Sequence, residues 1–149
     1  MWRITRRAHQ ALDGEGARLF GGRWNSEGVP LVYASATLSL AALEYLTHVD
    51  VEDVPADLIA LEIELPDDAP AEALDAGTLP RDWTRAEGHP ACIAAGDGWA
   101  RAGRTLALSV PSAVIPEEKN VLLNPRHPAA ARIRVASARD FSFDLRLLR

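Results

Sequence analysis

From Leu58 to Leu65 the chain alternates Ile59, Leu61, Ile63 and Leu65 with Leu58, Ala60, Glu62 and Glu64. That period of two is the signature of a half-buried strand, and a strand with one buried face must find partners in a sheet. Candidates lie on both sides of it. Residues 2 to 9 have strand character, and Leu31 to Ala34 is a short apolar run bounded by Pro30 and Ser35. Thr105 to Val110 alternates again and halts at Pro111, which cannot donate to a sheet ladder. Ile133 with Val135, and Phe141 with Phe143, predict two closing strands.

Helical signals are fewer. Thr37 can cap a helix in which Leu38, Ala41, Ala42, Tyr45, Leu46 and Val49 recur at helical spacing, while Leu40 and Leu43 make its other side apolar, so burial on most sides is expected. Ala71 to Leu74 reads as a short helix, Ala91 to Arg101 as a longer one carrying Trp99, and Asp13 to Gly16 as a loop leading into the Gly21-Gly22 turn. Short strands with irregularly inserted helices predict an α+β domain with a mixed or antiparallel sheet. At 149 residues the chain suits one domain, residues 1–149, that buries roughly two-thirds of its unfolded surface.

A formal net charge of -5 gives no support for binding nucleic-acid phosphates directly. The basic segment around Arg3, Arg6 and Arg7, with Arg18 and Arg23, reads either as a positive concavity or as a solvated edge. Cys92 is the only cysteine, which rules out an intrachain disulfide and, with no apolar stretch long enough for a membrane span or signal peptide, predicts a cytoplasmic protein. The four histidines lack metal-ligand spacing, so no metal is expected.

The residues suited to chemistry are scattered. Arg23 follows a glycine pair, and its planar fork can hold a phosphate through two parallel bonds or pair with a surface carboxylate. Trp24 and Asn25 read as core and turn residues or as ligand contacts. Glu44 sits in the apolar helix with Leu40, Leu43, Thr47 and His48 one turn away, and reads either as a buried carboxylate retained because it works on a substrate or as a helix-edge glutamate pointing into water or pairing with His48. Tyr33 ends a strand before that helix and reads as a core tyrosine or as one wall of a pocket. Ser112 follows Pro111 at a strand end and suits hydrogen bonding better than nucleophilic attack, because no histidine is spaced to serve it. Asn120, Asn124 and His127 lie in a segment that reads as a Pro-bounded loop, and each either stabilises that loop or lines the same cleft.

These motifs occur together and in order: Trp2-Arg3-Ile4, Gly14 to Ala17, Gly21 to Asn25, Tyr33, Glu44, Leu79 to Trp83, Gly96 to Trp99, Val110 to Val114, Asn120, Leu122 to Pro125 and Phe143 to Leu148. In this the chain resembles the RES-domain family over its whole length. Val121 departs from the pattern, which has an aromatic residue after Asn120. The resemblance implies a fold similar to ADP-ribosyltransferases and the role of a toxin in a bacterial toxin-antitoxin pair that destroys NAD. It assigns Arg23, Tyr33, Glu44 and Ser112 to catalysis, with Gly22, Trp24, Asn25 and Asn120 around the substrate. NAD would be substrate and no cofactor is implied; water or inorganic phosphate would accept the ADP-ribose. The implied partner is an Xre-like helix-turn-helix antitoxin, and a homodimer is compatible. Two further readings stay open, a mono-ADP-ribosyltransferase acting on a macromolecule and a silent binding module.

Overall fold

A computed structural model describes residues 1–85 and 88–148. Seven strands form one mixed sheet in the order β4-β5-β6-β2-β1-β3-β7. In chain order these are β1 (Trp2–Arg6), β2 (Val32–Ser35), β3 (Leu58–Glu64), β4 (Ala71–Ala73), β5 (Ala107–Pro111), β6 (Lys119–Leu123) and β7 (Arg134–Asp140). The helices are α1 (Glu15–Phe20), α2 (Leu38–Leu46) and α3 (Pro90–Ala102). Only β4 and β5 run parallel.

β3 is buried more fully than its alternation predicts. Ile59, Leu61 and Ile63 face one core with Val32, Ala34, Ala107 and Leu123, and Leu58 and Ala60 face another with Ile4, Ala41 and Phe143. β3 lies inside the sheet, between β1 and β7, so both faces are covered. A third core packs α3, through Cys92 and Trp99, against Trp24, Leu31, Trp83, Leu108, Val110 and Leu122. Thr37 caps α2 by accepting from the Leu40 amide at 3.1 Å, as expected. The helix is less buried than its composition predicts: only Leu40 and Ala41 are fully enclosed, and Leu43 is exposed.

Several expectations are corrected. The segment after Asp13 forms helix α1, made possible by Gly14, which takes φ 70° at its N-cap. Ala71 to Leu74 holds a strand, because the run pairs in parallel with Ala107–Ser109. The supposed loop at Asn120 begins in β6, which binds β5 on one side and β2 on the other. The C-terminal closure is one strand, β7, with Phe141 and Phe143 just beyond it, Phe143 in the core. The basic edge is solvated: Arg6 pairs with Asp57, Arg7 with Asp140 and Arg18 with Glu15 on the surface. No helix among the described residues is long and apolar enough to cross a membrane.

One irregularity positions the site. β1 pairs with β3 along its whole length but with β2 only at Trp2 and Ser35. Beyond that pair the two central strands part.

Candidate active site

A cavity of about 1000 Å³ occupies this parting. It is bordered by Arg3 and Ile4 of β1, Tyr33 and Ser35 of β2, Glu44 and Tyr45 of α2, the Gly21–Trp24 turn and Asn120. The volume lies at the upper end of ligand pockets, about 300–1,000 Å³, and has room for a dinucleotide.

Glu44 is held at one oxygen. The Ser112 hydroxyl donates to Glu44 Oε1 at 2.7 Å, and the Asn120 side-chain amide donates to the same atom. Both supports are themselves oriented. Ser112 Oγ accepts from the Val114 and Ile115 amides, each at 3.0 Å, so its own proton is directed to the carboxylate. Asn120 Oδ1 accepts from Ser35 Oγ at 2.7 Å, which turns its amide nitrogen toward Glu44. Glu44 borders the cavity, and among the described residues both hydrogen bonds to its carboxylate fall on Oε1, none on Oε2. The compensation that α2 lacks is supplied by β2, β6 and the turn after β5.

The Gly21–Asn25 turn is locked to β2 through Tyr33. Its hydroxyl donates to Asn25 Oδ1 at 2.6 Å and accepts from the Trp24 amide at 3.0 Å. Asn25 Nδ2 in turn donates to the carbonyls of Ala17 and Val29. A Cβ on Gly22 would stand 2.7 Å from the Tyr33 hydroxyl, so glycine is required there by the tyrosine. Arg23 borders the cavity and donates through Nη1 to the Trp83 carbonyl at 3.0 Å, while Trp24 packs on Trp83 with ring centroids 5.9 Å apart.

Of the eight residues expected at the site, Gly22, Arg23, Trp24, Tyr33, Glu44 and Asn120 border the cavity. Trp24 is only 2% exposed, and its ring belongs to the core. Asn25 and Ser112 stand behind the cavity wall, both enclosed, and meet it through Tyr33 and Glu44. Ser112, read from the sequence as a hydrogen-bonding residue, spends its hydroxyl proton on the Glu44 carboxylate. Asn124 and His127 lie elsewhere: Asn124 Nδ2 donates to the Ala100 carbonyl at the end of α3, and His127 Nδ1 accepts from Ala129. Val121 packs into the core around Val32 and Leu123 and walls no cleft. Cys92 is fully enclosed, and burial pushes its thiol up, with the Arg23 charge pulling the other way.

Ser35, Gly96 and Asp97 were given no role at the site by the sequence. Ser35 reads as a strand boundary yet starts the hydrogen-bond chain to Glu44. Asp97 accepts from both the amide and hydroxyl of Ser26, fixing α3 to the end of the arginine turn. No group of three or more metal-ligating side chains is assembled among the described residues.

Tyr33→Phe tests the lock. Removing the hydroxyl leaves Asn25 Oδ1 and the Trp24 amide unpaired, at a cost of about 1–3 kcal/mol. A fall in thermal midpoint of roughly 2–12 °C is expected by calorimetry; an unchanged midpoint would mean that the hydroxyl contributes nothing to the turn.

A family model described as RES domain matches residues 1–145. The "Prs ADP-ribosylating toxin" of Sphingobium sp. (strain YBL2) is 40% identical over 154 residues, spanning 99% of this chain and 96% of its own. A "Toxin Res" of Photorhabdus laumondii is 36% identical over 152 residues, spanning 100% of this chain and 97% of its own. A solved chain described as "Crystal structure of the M.tuberculosis MbcT-MbcA toxin-antitoxin complex" superposes with a TM-score of 0.73 at 20% identity, covering 95% of this chain and 82% of that one. At that identity the likeness is one of fold.

Proposed function

Because the chain belongs to the RES domain family, we propose that it is the toxin of a bacterial toxin-antitoxin pair and that it cleaves the nicotinamide-ribose bond of NAD. The observation that carries this reading is the Glu44 carboxylate, held through Oε1 by Ser112 and Asn120 beside a cavity of dinucleotide size that arginines also border. The glycosidic C–N bond breaks with its electron pair going to nicotinamide, which leaves neutral, and the ribose carbon becomes an oxocarbenium-like cation. Glu44 stabilises that cation and holds a ribose hydroxyl. Arg23 grips a phosphate oxygen, and the Tyr33 ring walls the nicotinamide end. An acceptor oxygen then bonds to the ribose carbon. Water must lose a proton in doing so, whereas inorganic phosphate arrives already ionised.

A second acceptor is favoured by the name of the 40% identical relative, an ADP-ribosylating toxin. The bond broken is the same, and a nucleophile on a macromolecule replaces water or phosphate. The partner in this reading is an Xre-like antitoxin that covers the cavity. Phe20 and Leu19, exposed at its border, give such a partner apolar purchase.

Incubating the purified protein with NAD, with and without phosphate, decides among these. Free nicotinamide is expected, together with ADP-ribose, its phosphorylated form, or label on added macromolecule according to the acceptor. Intact NAD after prolonged incubation with folded, partner-free protein would leave only a binding module.

A further inference from the structure

Arg23 and Trp24 form the tip of a tight turn closed by a single antiparallel bridge between Gly22 and Asn25. The two tip residues diverge: Trp24 is enclosed in the core, and Arg23 borders the cavity. One bridge fixes such a tip weakly, since even a whole isolated hairpin is marginally stable. The turn is therefore held from outside. In front, the Tyr33 hydroxyl holds Trp24 and Asn25 through bonds between neutral groups. Behind, on α3, stands Asp97, 6% exposed. Its Oδ1 accepts from the Ser26 amide at 3.0 Å, and its Oδ2 accepts from the Ser26 hydroxyl and from Arg101 Nη2, the latter at 3.2 Å. Ser26 directly follows Asn25, so the carboxylate grips the chain at the base of the turn. Gly96 lets α3 come this close, because a Cβ there would collide with the Trp24 carbonyl.

A buried carboxylate is costly unless it is paired and hydrogen-bonded. Here it is both. The amide and hydroxyl of Ser26 are met by one oxygen each, where a side-chain amide would offer a single oxygen, and Arg101 balances the charge from the solvent side. Bonds to a charged acceptor are about twice as strong as those between neutral groups. We propose that Asp97 is a positioning residue for Arg23. Through Ser26 it fixes the turn that brings the guanidinium to the cavity wall, and so sets affinity for the phosphate-bearing part of the ligand while leaving bond cleavage at Glu44 unchanged. The inference rests on the proposed role of Arg23 as a phosphate contact. The plain alternative is that Asp97 only fastens α3 to its surroundings and serves stability.

The test is amide hydrogen exchange on the full chain, with ADP-ribose binding by titration calorimetry and NAD kinetics on the same preparations. In Asp97→Ala the Trp24 amide should exchange faster while amides of the central strand β3 keep their protection, the pattern of a local opening. ADP-ribose binding is expected to weaken by roughly 10- to 100-fold, the scale on which a displaced binding group is felt. KM for NAD should rise with it and kcat should hold. Asp97→Asn, which keeps the shape and one oxygen, should recover part of the affinity. Ser26→Ala removes only the hydroxyl bond and should show the same pattern more weakly, so the outcome does not depend on whether Asp97→Ala folds. Trp24 exchange and ADP-ribose affinity equal to wild type in these variants, a loss confined to kcat, or β3 amides that lose protection together with Trp24 would overturn the proposal. So would a wild-type protein that binds no ADP-ribose. ADP-ribose binding that depends on Asp97 in a protein that leaves NAD intact would support Asp97 and remove the proposed cleavage instead.

Discussion

Glu44→Gln is expected to slow NAD turnover by roughly 100- to 1,000-fold, equivalent to about 2.7–4 kcal/mol of transition-state stabilisation. The side-chain oxygen of glutamine can take the place of Oε1 and accept from Ser112 and Asn120, so the supporting hydrogen bonds survive. The amide nitrogen then stands where Oε2 stood and presents a donor, without negative charge, to the developing sugar cation. Stability should hold, because the substitution removes a charge while keeping its contacts. NAD turnover, NAD affinity and thermal midpoint measured on one preparation separate these effects. A variant that binds NAD, melts like the parent and turns over undiminished would make Glu44 structural and return the chemistry to Arg23 and Tyr33.

Gly96→Ala should damage the same site from behind. A Cβ at this position in α3 would lie 1.9 Å from the Trp24 carbonyl oxygen, which is backbone and has no rotamer by which to yield. Alanine gains up to about 1 kcal/mol of helix propensity over glycine, but overpacking of this kind costs about 1–3 kcal/mol and sometimes more. The net result expected is a loss of about 2 kcal/mol, a drop in midpoint of roughly 4–8 °C, and weakened NAD binding as the Arg23 turn is pushed off α3. Gly98→Ala is the control, since nothing lies within 4 Å of a Cβ there. Equal midpoints for the two variants would show that α3 can back away from the turn at no cost.

The strands that carry their own periodicity were legible in the sequence. Leu58–Glu64 alternates, and Ala107–Pro111 alternates up to its proline. The elements that misled are those whose conformation is decided by a neighbour. Ala71–Ala73 has helical composition and becomes a strand by lying along β5, and Lys119–Leu123, with its asparagine, is ladder-bonded on both sides. The same division runs through the site. Glu44 stood out because a carboxylate in an apolar helix needs a reason. The partners that supply the reason are Ser112 and Asn120, 68 and 76 residues away in sequence, and no local pattern connects them. Arg3 was visible as a basic residue of the opening motif, but that its Nε is buried without a partner is a property of the folded surroundings.

The single residue pair joining β1 to β2 divides the sheet into two leaves, β3 and β7 with β1 on one side, and β4, β5 and β6 with β2 on the other. Prising them apart breaks one step of ladder where any other interior seam would break several. The ladder is therefore thinnest beside the cavity, and the core that joins Ile59, Leu61 and Ile63 to Val32, Ala34, Ala107 and Leu123 is what holds the two leaves together. Helix α2 packs on both β1 and β2 and acts as the clasp, and Glu44 rides on it while its supports Ser112 and Asn120 belong to one leaf only. The carboxylate and its supports therefore reach the site from different elements, and their contact depends on α2 keeping its place against both leaves.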